Sequence, residues 1–159
     1  MVRSDTLAMD DTLFSASDVD GESAADRAEA ATFDPESPPR AQTEVLLVED
    51  DDAVRESLRT VLELDGYAVS EFHSAEDFLK AARFSALSCA IIDVNLPGIS
   101  GLKALEKLRA AGNWVPAIVV SARASEETRA EARRLNALRV LDKPIDLSLL
   151  LTALAGIGL

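Results

Sequence analysis

The chain has 159 residues, 48% hydrophobic and 28% charged, which suits one globular domain with an extension rather than a chain unfolded throughout. Its net charge of −12 argues against a nucleic-acid backbone as partner, since that needs clustered Lys and Arg, and leaves a cationic partner, metal or protein, as the natural counterpart. No apolar run approaches the ~20 residues of a membrane span, the first residues are too polar for a signal peptide, and the single cysteine, Cys89, excludes an internal disulfide and fits a reducing, cytoplasmic setting.

The charge is unevenly spread. Residues 1–40 carry ten acids against Arg3, Arg27 and Arg40, a net −7. Residues 1–42 are rich in Ala, Asp, Glu and Ser, close with Asp34-Pro35-Glu36-Ser37-Pro38-Pro39, and show no sustained hydrophobic period. They are expected to be a mostly disordered extension and linker, with at most a transient helix over 18–31.

A folded domain is expected over 43–159. Val45-Leu46-Leu47-Val48 is a short apolar run typical of a buried strand, followed at once by Glu49-Asp50-Asp51-Asp52. Val54, Leu58, Val61 and Leu62 then recur at helical spacing, with Asp51 or Asp52 placed to cap the start and Asp65-Gly66 to end it. Residues 67–72 alternate as a half-exposed strand. Ser74 opens a second helix whose face is Ala75, Phe78, Leu79 and Ala82. A third strand, Cys89-Ala90-Ile91-Ile92-Asp93, is apolar up to its terminal acid, and Pro97-Gly98 breaks the chain shortly after. Ser100 caps a helix bearing Leu102, Leu105 and Leu108. Residues 115–121 form a fourth strand ending at Ser121, and 125–135 an Arg-rich helix. Residues 138–141 form a fifth strand leading into Asp142-Lys143-Pro144, and a last helix carries Leu147, Leu150, Leu151 and Leu154. Five strands alternating with five helices mean an α/β fold: a doubly wound parallel sheet, flavodoxin-like, in the order 2-1-3-4-5.

In such a sheet every strand's carboxyl end faces one rim, where ligands bind. A lone acid there, such as Asp93, more often starts a turn than does chemistry. Here, however, the ends supply Glu49 and Asp50, Asp93, Ser121 and Lys143 from four strands. Glu49, Asp50 and Asp93 carry −3 and Lys143 returns +1. Unit charges ~4 Å apart repel by roughly 4 kcal/mol at an effective dielectric near 20, so a divalent cation is expected to restore balance. All-oxygen donors suit Mg2+, and zinc lacks its Cys and His ligands. With charge on a phosphoryl group neutralised, Asp93 can act as a nucleophile toward phosphorus, with Lys143 and the Ser121 hydroxyl on the phosphoryl oxygens. Asp51 is read as a helix cap, and His73 as a solvated residue away from the rim.

These residues resemble the receiver domain of two-component response regulators. The matching elements are Val48-Glu49-Asp50-Asp51, the stretch from Ile92-Asp93-Val94-Asn95 through Leu96-Pro97-Gly98-Ile99-Ser100-Gly101, Val120-Ser121-Ala122, and Asp142-Lys143-Pro144. The resemblance implies a switch rather than an enzyme with its own substrate: a histidine kinase or phosphotransfer protein donates phosphate to Asp93, and slow self-catalysed hydrolysis removes it. It assigns metal binding to Glu49, Asp50, Asp93 and the backbone carbonyl of Asn95, and implies a cis bond before Pro144. The absence of an output domain after the last helix points to a stand-alone switch acting on a downstream protein, with neither nucleic acid nor membrane as direct partner. Two positions depart from the family. Val140 stands where an aromatic usually reports phosphorylation, so helix and loop shifts must carry the signal. Asn136-Ala137 stands where Gly-Ala is usual. The alternatives are a phosphorylation-independent binding module of the same fold and, more distantly, an aspartate-nucleophile phosphatase, for which Asn95 is the wrong residue to protonate a leaving group. Arg123, Arg129, Arg133, Arg134 and Arg139 are read as a solvated face with local pairs to Glu126 and Glu131, or else a docking surface for an acidic partner.

Overall fold

The computed structural model describes residues 43–81 and 85–157. Residues 1–42, with the helix expected over 18–31, lie outside the described residues, as does Ala82.

Five strands form one parallel sheet: β1 Glu44–Val48, β2 Ala68–Phe72, β3 Ser88–Asp93, β4 Ala117–Ser121 and β5 Arg139–Asp142, in the order β2-β1-β3-β4-β5. The helices between and after them are α1 Asp52–Leu64, α2 Ala75–Lys80, α3 Gly101–Ala110, α4 Glu126–Arg134 and α5 Leu147–Ala155. Architecture and strand order are those expected of the doubly wound fold. Boundaries moved by a residue or two. Val115 and Pro116 precede β4, although the Pro116 carbonyl still accepts from Ala90 N–H at 2.8 Å.

Period-2 alternation sorts the core into two layers. Val45, Leu47, Cys89, Ile91, Ile118, Val120 and Leu141 pack beneath Leu58 and Leu62 of α1 and Leu150 and Leu154 of α5. Leu46, Val48, Ala90, Ile92 and Val119 face Phe78, Leu105 and Ala132 of α2, α3 and α4. β3 is buried along its whole length, as a central strand covered on both faces must be. The same parity positions the site. Glu49, Asp93 and Lys143 each follow Leu47, Ile91 and Leu141 by two residues, so they leave the sheet on the α1 and α5 side. Ser121 follows Val119 and leaves on the side of α4.

Caps set the helix starts. Asp51, Ser74, Ser100, Ser125 and Asp146 each accept a backbone N–H three residues on. Asn136, one of the two departures from the family pattern, has φ 57°. Asn is the residue other than glycine that best tolerates this left-handed conformation, so the turn into β5 is kept. Of the leucines on α5, Leu147 is exposed, whereas Leu150 and Leu154 are buried and Leu151 packs partly buried against the same layer.

Truncating Leu62, which is fully buried, to Ala should cost about 2–5 kcal/mol in urea unfolding. The same change two residues on at Leu64, 84% exposed, should stay within about 0.5 kcal/mol.

Candidate functional site

Four of the five strand-end side chains, Glu49, Asp50, Asp93 and Lys143, converge. Lys143 Nζ donates to Glu49 Oε2 at 2.7 Å and to Asp93 Oδ2 at 2.8 Å, bridging residues 94 and 50 positions away in sequence. Carboxylate oxygens of Glu49, Asp50 and Asp93 lie within 4.8 Å of one another. Glu49 and Asp93 are 2% and 3% exposed, whereas Asp50 stands open to solvent. The N–H of Asn95 donates to Asp93 Oδ1 at 2.9 Å, turning the chain immediately after the strand. Ser121 is buried one residue past Val120, the β4 partner of Asp93. Its hydroxyl accepts from Arg123 N–H at 3.3 Å and its carbonyl accepts from Lys143 N–H at 2.8 Å. The Lys143–Pro144 bond is cis.

The electrostatics match the crowding. Burial pushes the Glu49 carboxyl above its ordinary range and the Asp93 charge adds to that push, against hydrogen bonds from Lys143 and Asp51 N–H. Burial works against the charged form of Lys143 as well, yet its hydrogen bonds to Asp93 and Glu49 prevail and hold it above its usual value. Lys143 is a single cation among three acids. A divalent ion fits this donor set: three carboxylates, oxygen only, one of them open to solvent for entry.

Some contributors are given no role at the site from the sequence. Gly101 is obligatory, because a Cβ there would lie 2.1 Å from the Asp93 carbonyl oxygen. Glu76 of α2 accepts from Ile99 N–H at 3.0 Å and sits where a side chain on Gly98 (φ 78°) would go, so it ties down the loop after Asp93. Arg55 of α1, not singled out in the sequence, is 7% exposed and donates to the Glu49 carbonyl at 2.9 Å. His73 corrects an expectation. It is exposed, but it follows β2 at the same rim, with Nδ1 3.8 Å from Asp52 Oδ1. Asp51 is the α1 cap. The arginines pair locally, Arg133 with Glu126 and Arg134 with Glu131, while Arg129 reaches Asp142.

Residues 45–155 match the family model of the response regulator receiver domain. The chain belongs to that family. Receiver domains of response regulators are signalling switches of two-component systems that bind Mg2+ at an acidic pocket, and the rim just described carries an acidic cluster of Glu49, Asp50 and Asp93. Over 115 residues the chain is 40% identical to the transcriptional regulatory protein FixJ of Azorhizobium caulinodans, covering 72% of this chain and 54% of that protein. A response regulator MprA of Mycobacterium avium is 34% identical over 113 residues, covering 71% of this chain and 50% of its own. The receiver chain thus spans about half the length of the curated relatives it matches. Among solved structures, FixJ-N superposes with a TM-score of 0.68 at 28% identity, covering 76% of this chain and 98% of that one. Chemotaxis protein CheY4 of Vibrio cholerae superposes at 0.67 with 25% identity, covering 74% and 99%. Among the described residues no helix is long and apolar enough to cross a membrane.

Because Lys143 remains to pair with Glu49, Asp93→Asn should stabilise the metal-free protein by about 1 kcal/mol, relieving like-charge repulsion and burial of a second carboxylate. Thermal unfolding in chelator checks this. A fall in melting temperature would contradict the repulsion drawn here.

Proposed function

We propose that residues 43–159 act as a phosphoacceptor switch in which Asp93 is the site of modification. The observation that carries this is the Asp93 carboxylate itself: buried at a strand end, held through one oxygen by Asn95 N–H and through the other by the Lys143 ammonium, with two further acids beside it. A carboxylate so placed is oriented for attack and surrounded by groups that fit a phosphoryl anion plus a cation.

Mg2+ would be held by Glu49, Asp50, Asp93 and the Asn95 carbonyl, and when bound it supplies positive charge to the phosphoryl oxygens. The protein's own groups do the rest. An Asp93 oxygen attacks phosphorus while the bond from phosphorus to the donor's imidazole nitrogen breaks, and the departing imidazole keeps the electron pair and takes up a proton. Lys143 transfers its hydrogen bond from the carboxylate to a phosphoryl oxygen, and the Ser121 hydroxyl accommodates another. Hydrolysis removes the phosphoryl group: water attacks phosphorus, the Asp93 oxygen–phosphorus bond breaks with its electron pair returning to the carboxylate, and inorganic phosphate leaves carrying the oxygen of the water, whose proton passes to phosphate or solvent. The donor is a histidine kinase or phosphotransfer protein. An apolar groove of about 380 Å³ beside Lys143, lined by Ala53, Val54, Leu58, Pro144 and Ile145, suits the surroundings of a donor histidine.

Phosphorylation replaces one negative charge by roughly −1.5 to −2, taking phosphorylated hydroxyl side chains as the guide. Lys143 and Ser121 are drawn toward it. Asp142, next to Lys143 and the β5 partner of Ser121, accepts from Ala124 N–H at 3.0 Å and from Arg129 at 2.5 Å. Movement at the end of β5 therefore reaches the loop before α4 and α4 itself, and a downstream protein reads that surface.

Incubation of the full chain with acetyl phosphate and Mg2+, followed by intact mass, should show one added phosphate that is lost in Asp93→Asn or in chelator. An unmodified mass with every small phosphodonor would favour a phosphorylation-independent binding module, and multiple turnover of phosphoesters a phosphatase.

A further inference from the structure

We infer that Arg55 is a positioning residue for the acidic turn after β1, aiming Asp50 at the cation through the Glu49–Asp50 peptide; this rests on the reading of the rim as a Mg2+ site. Arg55 lies on the sheet-facing side of α1 between Val54 and Leu58 and is 7% exposed. A guanidinium is costly to bury unless its donors are met. Here they are met from three segments. One terminal nitrogen donates to the Glu49 carbonyl at 2.9 Å, the other to Asp52 Oδ1 at 2.5 Å, and Nε faces Glu71 Oε1 of β2 at 3.3 Å.

The contact with the Glu49 carbonyl has the consequence. β1 ends at Val48, and beyond it the Glu49 N–H still donates to Phe72 O at 3.1 Å. Glu49 Oε1 accepts from Asp51 N–H and Oε2 from Lys143, so its side chain is held at both oxygens. The Asp50 side chain, exposed, accepts no hydrogen bond from the described residues. The point from which it departs, and so the region its rotamers can reach, is set by the backbone. A peptide unit is planar, so fixing its carbonyl oxygen fixes the plane from which the Asp50 Cα departs. Arg55 is the side chain that fixes it. Asp52 and Glu71 already neutralise the guanidinium, leaving it little net field to oppose a cation nearby.

Charge and position predict opposite signs, which makes the inference testable. If Arg55 acted only as a positive charge near the site, Arg55→Met would tighten Mg2+ binding and Arg55→Lys would leave it unchanged. As a positioning residue, both should weaken it about 10–100-fold, the usual range for groups that orient metal ligands. Calorimetric titration of the full chain with MgCl2 at a temperature far below unfolding reads this directly. Arg55→Lys keeps a cation for Asp52 and Glu71 and so preserves folding if the Met variant is lost. Because Arg55 acts through Asp50, Asp50→Asn combined with Arg55→Lys should bind no more weakly than Asp50→Asn alone. Unchanged or tighter binding in the Arg55 variants, or losses that simply add in the double variant, would overturn the role of Arg55 while leaving the metal site standing. A wild-type chain that takes up no Mg2+ would overturn both.

Discussion

One ammonium between two buried carboxylates organises the carboxyl rim of this sheet. Lys143 reaches Glu49 and Asp93 at 2.7 and 2.8 Å across strands that are not neighbours, since β3 and β4 separate β1 from β5. Neither carboxylate is tolerable there alone: burial already raises the Glu49 carboxyl, and a third acid, Asp50, stands beside both. Lys143 therefore makes the apo rim possible without neutralising it. The residual negative charge is the physical basis of the proposed affinity for a divalent cation, and the ammonium that bridges the two carboxylates is the group best placed to move under the proposed change of charge at Asp93. Burying like charges in this way is a local violation of what stability favours, of the kind expected where a site has a task.

Most of this was legible in the sequence, for reasons that can be named. Strands buried on both faces announce themselves as unbroken apolar runs, and their terminal polar residues mark the rim without further information. Parallel topology then brings Glu49, Asp50, Asp93, Ser121 and Lys143 to one edge whatever the details of packing. Helix starts were readable because Asp51, Ser74, Ser100 and Ser125 are residue types whose side chains compete for backbone N–H groups. Asn136, a departure from the expected glycine, proves a substitution of like for like in backbone terms.

What stayed hidden depends on long-range approach. Arg55 occupies a helix position where an exposed residue serves equally well, and only the fold shows that the Glu49 carbonyl lies beneath it. Glu76 and Gly101 are similar: one reaches Ile99 from 23 residues away, and the other is glycine because α3 begins against the Asp93 backbone. His73 was misplaced because a loop residue after β2 has no periodicity to locate it, whereas the parallel sheet necessarily delivers it to the same rim, beside Asp52. The Asp142 carboxylate, read only as part of the Asp142-Lys143-Pro144 motif, links β5 to α4 through Ala124 and Arg129. With Val140 in place of an aromatic, that link is a polar connection between the lysine strand and the Arg-rich helix.

The central claim is that converging acids, incompletely balanced by Lys143, create the demand for a cation. Melting temperature of the full chain against MgCl2 concentration, at constant ionic strength, tests it most directly. A ligand that binds only the folded state raises stability by RT ln(1 + [L]/Kd), so the melting temperature should climb steadily with the logarithm of Mg2+ concentration in the wild type and begin to climb only at much higher Mg2+ in Asp50→Asn, whose curve is flatter over the same range. A wild-type curve as flat as that of the variant would show that the rim is content without a metal.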